Sequence, residues 1–194
     1  MKISIVTPTW QRHDLLIDRC IPSVAAQTVP VEHVIVSDGP DPELRELLAG
    51  LDVVYAEVDQ HYDDPIKVGA RPRNRGLEVA TGDFIGYLDD DNSFRPNHVE
   101  TLVRTLEENP DRDFAYSRMY RHGLGDEIGS DPPAYGTIDS SIIMQRANTH
   151  LQFGLWPVPS EYYVDWQLVQ SWIQAGATWV FVPEVTVDYY YRPR

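Results

Sequence analysis

Gly82-Asp83-Phe84-Ile85-Gly86-Tyr87-Leu88-Asp89-Asp90-Asp91-Asn92 is the stretch whose reading decides the fold. An apolar run of strand composition ends abruptly in three consecutive carboxylates and an amide. Three adjacent Asp at the end of a buried strand repel one another and resist leaving water. A bound cation resolves that conflict. Mg²⁺ and Mn²⁺ prefer carboxylate oxygens and often share them with substrate phosphates. The same residues also read as an acidic turn ahead of the helix that begins near Pro96.

Upstream of that stretch, strand and helix patterns alternate. Lys2-Ile3-Ser4-Ile5-Val6-Thr7 reads as a buried strand that stops at Pro8-Thr9-Trp10. A helix follows over residues 12–26, with Pro22 predicting a kink or break. Residues 31–37 form the second strand, and Asp38-Gly39-Pro40-Asp41-Pro42 is a turn opening a helix to about residue 49. Residues 52–56 give a short third strand, 62–68 a polar irregular stretch and 73–80 a helix. The fourth strand covers 83–88 and the next helix 96–108. This alternation predicts a parallel α/β sheet, in which ligands bind beyond the carboxyl ends of the strands. Three of those ends are Pro8-Thr9-Trp10, Ser37-Asp38-Gly39 and Asp89-Asp90-Asp91, all suited to a nucleotide. Neither a GxGxxG nor a GxxxxGK[ST] motif is present, so neither a dinucleotide fingerprint nor a P-loop explains the site.

Downstream, residues 112–120 and 137–144 read as strands around a Gly-, Pro- and Asp-rich loop over 121–136. A helix over 162–175 ends at Gly176, and residues 177–182 and 184–191 close the chain as two strands. No repeat or linker divides the sequence. One domain over 1–194 is expected, with a nucleotide-donor half (1–92) and an acceptor half (93–194).

Composition narrows the class. The chain has 194 residues, of which 42% are apolar, enough for a full core. No apolar run reaches the roughly 20 residues of a membrane span. The opening residues run straight into a strand, so no signal peptide is expected and a cytoplasmic protein is the default. The single cysteine, Cys20, excludes an internal disulfide and a cysteine-based zinc site. A net charge of −14 disfavours a broad nucleic-acid or anionic-membrane surface. Positive charge is nevertheless concentrated at Lys67, Arg71, Arg73 and Arg75.

Taken together, the sequence resembles family-2 glycosyltransferases of the GT-A fold. The matching segments are Val6-Thr7-Pro8-Thr9-Trp10-Gln11-Arg12, Ser23-Val24-Ala25-Ala26-Gln27-Thr28 and Val34-Ile35-Val36-Ser37-Asp38-Gly39. Arg73-Asn74-Arg75-Gly76-Leu77, then Thr81 through Asn92, and Asp165-Trp166-Gln167-Leu168 follow in the same order. The resemblance implies a mostly parallel Rossmann-like sheet with helices on both faces and a smaller mixed acceptor part. It implies that Asp89-Asp90-Asp91 is the DxD region: Asp91 mainly on a Mn²⁺ or Mg²⁺ ion, Asp89 shared between metal and ribose, Asp90 near the ribose and first diphosphate oxygens. Pro8, Thr9 and Trp10 then pack on the nucleobase, with Arg12 close by, and Asp38 reads the base. Ser37 stands where the family usually has a first Asp, which leaves the base open, uracil being the commonest. Arg73 matches a donor-side arginine, and Asp165 the catalytic base of inverting members, with Glu161 as rival.

The chemistry requires these residue types. A nucleotide diphosphate gains negative charge as it leaves, and a divalent ion, assisted by Lys67 or an arginine, offsets it. The acceptor hydroxyl must lose a proton to one carboxylate. The implied function is a metal-dependent inverting glycosyltransferase acting between a nucleotide-sugar donor and an unknown hydroxyl acceptor. A catalytically inactive binding module and a nucleotidyltransferase of similar fold are the alternatives. Residues 121–136 and 145–161 are expected to form a shallow acceptor groove, completed by a second subunit if the chain is a homodimer. Trp156, like Trp166, Trp172 and Trp179, reads mostly as core, although its loop position leaves room for an acceptor sugar to stack on it.

Overall fold

The computed structural model describes residues 1–61, 69–158 and 163–190. One nine-stranded sheet runs through both halves in the order β3-β2-β1-β4-β8-β6-β9-β5, with β7 paired to β6. Its first part is parallel: β1 (Ile3–Thr9), β2 (Glu32–Ser37), β3 (Val54–Glu57) and β4 (Phe84–Tyr87). β1 is buried along its whole length, as a central strand covered on both faces must be. The second part is mixed. β8 (Ile143–Arg146) runs antiparallel between β4 and β6 (Phe114–His122), and β9 (Trp179–Tyr190) runs parallel to β6.

The first helical stretch is α1 (His13–Leu15), a π-helical turn (Leu16–Cys20) and α2 (Ile21–Ala25) in succession. Pro22 was expected to kink or break it. Instead the widened π turn precedes the proline, which sits in the first turn of α2 where its missing N–H costs little. Cys20 is fully buried beneath this turn, consistent with a small core residue, and burial pushes its thiol pKa up.

α3 (Pro42–Leu47) is capped by Asp41, whose side chain accepts from the Leu44 N–H at 3.0 Å. α4 (Ala70–Val79) begins earlier than the sequence pattern predicted, so Arg73 lies inside the helix and faces the core. Gly76 lets α4 lie directly against β1, because a Cβ there would overlap the Val6 side chain. α5 (His98–Glu108) packs on β6 and β9, its apolar face formed by Val99, Leu102, Val103 and Leu106.

Three further expectations are corrected. Residues 137–144 are not one strand: Asp139 accepts from the Ser141 N–H at 2.8 Å, which turns the chain into a 3₁₀ turn (Ser140–Ile142) before β8. The stretch 121–136 is not all loop, because β7 (Asp126–Ile128) pairs back on β6. The closing segment is a single long β9, interrupted by a bulge: Tyr116 pairs with Phe181 but Arg118 with Val185, leaving Pro183 outside the ladder. Short additional elements are β5 (Ser93–Phe94), paired to β9, and α6 (Thr149–Phe153). The last helix, α7 (Val164–Gln174), buries Val164, Leu168, Val169 and Trp172. Among the described residues, no helix is long and apolar enough to cross a membrane.

Candidate active site

The parallel register brings three strand ends together. Thr9 pairs with Ser37, the Asp38 N–H donates to the Thr9 carbonyl at 2.9 Å, and the Leu88 N–H donates to Val6 at 3.1 Å. Trp10, Asp38 and the Asp run therefore share one edge, as the sequence predicted. Ser37 is fully buried, so the side chain partly open to solvent at the end of β2 is Asp38.

Trp10 and Asp38 meet through His61, which the sequence reading passed over. The two rings stack with centroids 4.3 Å apart and planes 5° from parallel. His61 Nδ1 lies 3.1 Å from Asp38 Oδ2 and 3.0 Å from its carbonyl oxygen. Gly39 permits this approach: a Cβ would come 2.7 Å from the His61 backbone nitrogen, and its φ of +128° suits glycine.

The three aspartates of the run point in different directions. Asp90 is fully buried, accepts from Thr9 Oγ1 at 2.7 Å and lies 2.7 Å from an Arg12 nitrogen. A ligand-facing Asp90 was expected; the structure turns it inward, where it ties the β1 loop to the β4 loop. Burial pushes its pKa up to about 7, against the opposing pull of Arg12. Asp91 is partly exposed, takes the other arm of Arg12 at 2.7 Å, and its carbonyl accepts from Arg19 at 2.6 Å. Its pKa is also raised, by burial and by Asp89, with Arg12 opposing. Asp89 pairs with the buried Arg73 and accepts from Ser140 Oγ at 3.3 Å. Asn92, fully buried, accepts the Tyr190 N–H at 3.2 Å and so pins the end of β9 beside the run.

Arg73 is the centre of a second cluster. It donates to Ser140 Oγ at 2.9 Å and lies 4.7 Å over the Trp156 ring. Burial disfavours its charge, yet Asp89, Asp165 and Asp139 together hold its pKa above the ordinary value. Asp165, in the first turn of α7, enters this field from the other half of the chain. Burial lifts its pKa to about 6, Arg73 opposes, and Asp89 adds to the rise. One carboxylate oxygen, Oδ1, is buried without a hydrogen-bond partner. Asp139 is the acid that sequence reasoning missed. Burial, then repulsion from Asp165 and Asp89, lifts its pKa to about 8. Its place inside the expected strand 137–144 gave no signal that would single it out.

Trp156 is buried, with its backbone held by Asn74 at 2.9 and 3.0 Å, so it offers no face to an acceptor sugar. The exposed rings near Asp165 are Tyr135 and Tyr163, 4.4 Å apart. Arg75 pairs with Glu78 on the surface. Lys67 and Glu161 lie outside the described residues.

Among the described residues, no three Asp, Glu, His or Cys side chains gather as a ready metal cage. Asp89 and Asp91 still fit a divalent ion of the kind held by one or two carboxylates and completed by substrate phosphates and water. Their oxygens are partly exposed at the strand ends.

Sequence and structure comparisons relate the chain to known proteins. A glucosyl-dolichyl phosphate glucuronosyltransferase of Haloferax volcanii is 36% identical over 117 residues, covering 57% of this chain and 36% of the relative. The uncharacterized glycosyltransferase YwdF of Bacillus subtilis is 26% identical over 185 residues, 86% of this chain and 66% of the relative. The chain thus spans between about a third and two thirds of these relatives. S. aureus TarS 1–349, solved in complex with UDP-GlcNAc, superposes with a TM-score of 0.77 at 17% identity, over 100% of this chain and 60% of that one. The fold is therefore GT-A. Residues 4–163 match the sequence pattern of Glycosyl transferase family 2, and the chain belongs to that family.

Proposed function

We propose that the protein transfers a sugar from a UDP-sugar to an acceptor hydroxyl, inverting the anomeric centre, with Mn²⁺ or Mg²⁺ held by Asp91 and Asp89. The observation that carries this reading is Arg73, one buried guanidinium that pairs with Asp89 at a parallel strand end and lies in the electrostatic field of Asp165 from α7. The two halves of the chain thereby put a leaving-group site and a base into one electrostatic unit.

Trp10, Asp38 and His61 form the patch for the base, with Pro8 and Thr9 shaping the loop beneath it. A neighbour of the same fold holds UDP-GlcNAc, which supports uridine. The bound ion would neutralise charge developing on the diphosphate. Asp165 takes the acceptor proton as the acceptor oxygen bonds to C1. The bond from C1 to the diphosphate oxygen breaks, and UDP leaves with the electron pair. With one base and no protein nucleophile, attack comes from the face opposite the leaving group. Tyr135 and Tyr163 border the acceptor side.

Calorimetry with UDP and GDP in the presence of Mn²⁺ tests the donor site. UDP is expected to bind the more tightly. If neither nucleotide binds, the reading fails.

A further inference from the structure

Arg12 is committed to the Asp run more fully than a donor-side cation needs to be. It follows Gln11, whose φ of 52° is left-handed, and that reversal sends the Arg12 side chain back across the strand ends. Its two terminal nitrogens lie 2.7 Å from Asp90 Oδ1 and 2.7 Å from Asp91 Oδ2. Arg19 adds a second guanidinium, bound to the Asp91 carbonyl at 2.6 Å. At the mouth of the site, then, the charges of Asp90 and Asp91 are met by those of Arg12 and Arg19. A bare divalent ion must compete with these guanidiniums, and with Arg73 on Asp89, for the carboxylates of the run, and one oxygen of Asp91 is already taken. No preformed set of three acidic, histidine or cysteine ligands compensates, among the described residues.

A nucleoside diphosphate changes both conditions. It brings negative charge and phosphate oxygens that complete the ion's coordination. Its oxygens also match the planar fork of an arginine. The Arg12 side chain is 49% exposed, so it has room to turn from carboxylate toward phosphate. Asp90 would keep its place through Thr9.

We propose that Arg12 is the resident counter-cation of the Asp run, and that a divalent ion binds there together with a nucleoside diphosphate and not ahead of it. This rests on reading Asp89 and Asp91 as the metal ligands. If Arg12 were only a staple for the loop, removing it would loosen the run and weaken metal binding. If it is a counter-cation, removing it strengthens binding of the ion alone.

The test is titration of Mn²⁺ followed by loss of the free-ion electron paramagnetic resonance signal, with and without UDP. In the wild type, UDP is expected to tighten Mn²⁺ binding by on the order of a hundredfold, and Mn²⁺ to tighten UDP equally. Arg12→Gln is expected to bind Mn²⁺ alone about tenfold more tightly than the wild type, because one opposing charge is gone. The proposal is overturned if Mn²⁺ alone binds the wild type as tightly as with UDP, or if Arg12→Gln binds it no more tightly. Should that variant fail to fold, the wild-type comparison decides alone. Absence of any joint binding of Mn²⁺ and UDP would remove the donor-site reading as well, an outcome distinct from tight binding of the bare ion.

Discussion

Asp165 is caught between burial, which favours its neutral form, and Arg73, which favours the carboxylate. The balance puts its pKa at about 6, well placed for a base at neutral pH. Below that value it is protonated and cannot accept a proton, so turnover should fall as pH drops through about 6. Asp165→Asn should lower kcat by about 10²–10⁴-fold, remove that acid limb and leave the donor KM nearly unchanged. A rate–pH profile of both proteins checks this; full turnover by the Asn variant would dismiss Asp165 as base. The sequence named Asp165 through its place before Trp166. It was silent on Asp139, because nothing local distinguishes an acid that will face another acid after folding. Trp156 shows the converse: its loop position left a sugar-facing role open, but an apolar ring of that size reads as core, and packing against Arg73 and Tyr87 buries it.

At the scale of elements, local chemistry and tertiary contact compete openly. The parallel strands were legible because a buried central strand requires a continuous apolar run. The 3₁₀ turn at Ser140 was not, because its residues are apolar enough for a strand and one side-chain hydrogen bond from Ser141 to Asp139 decides otherwise. β7 and β5 escaped notice because two- and three-residue strands carry no usable period. Gly76 offers a direct contest between helix propensity and packing. Alanine gains roughly 1 kcal/mol in a helix interior, but overpacking a well-filled contact costs about 1–3 kcal/mol. Since the new Cβ would overlap Val6 between α4 and β1, packing should win. Urea denaturation of Gly76→Ala should show net destabilisation of about 1–2 kcal/mol; a gain in stability would mean that α4 shifts freely. Because Arg73 rides on the same helix, the variant should also bind UDP less tightly.

For the molecule as a whole, the site is held against its own electrostatics. Asp90, Asp139 and Asp165 have folded-state pKa values of about 7, 8 and 6, all above those of an unfolded chain. Above about pH 6.5 the folded protein holds more protons than the unfolded one through these acids, and stability falls as pH rises toward 8. Below that, His33 and His98, buried and neutral only in the folded state, oppose the acids. The net charge of −14 acts in the same direction. Thermal melts without ligand should show Tm declining from about pH 6.5 to 8.5, and Asp139→Asn should flatten the decline by removing the group that titrates latest. A Tm that rises across this range would contradict the buried-acid account.

The sequence by itself determined the alternation of strands and helices, the three polar strand ends and the family. These are written in local patterns: apolar runs, turn residues and the order of short motifs. Only the tertiary structure decided which way each aspartate of the run faces, that His61 joins Trp10 to Asp38, and that Asp139 stands near Asp165. Those facts depend on register and helix placement between residues far apart in the chain. The run that opened the reading holds three like residues in a row, and the fold gave them three environments. Successive side chains leave the backbone in different directions, so Asp90 was buried while Asp89 and Asp91 stayed at the surface of the site.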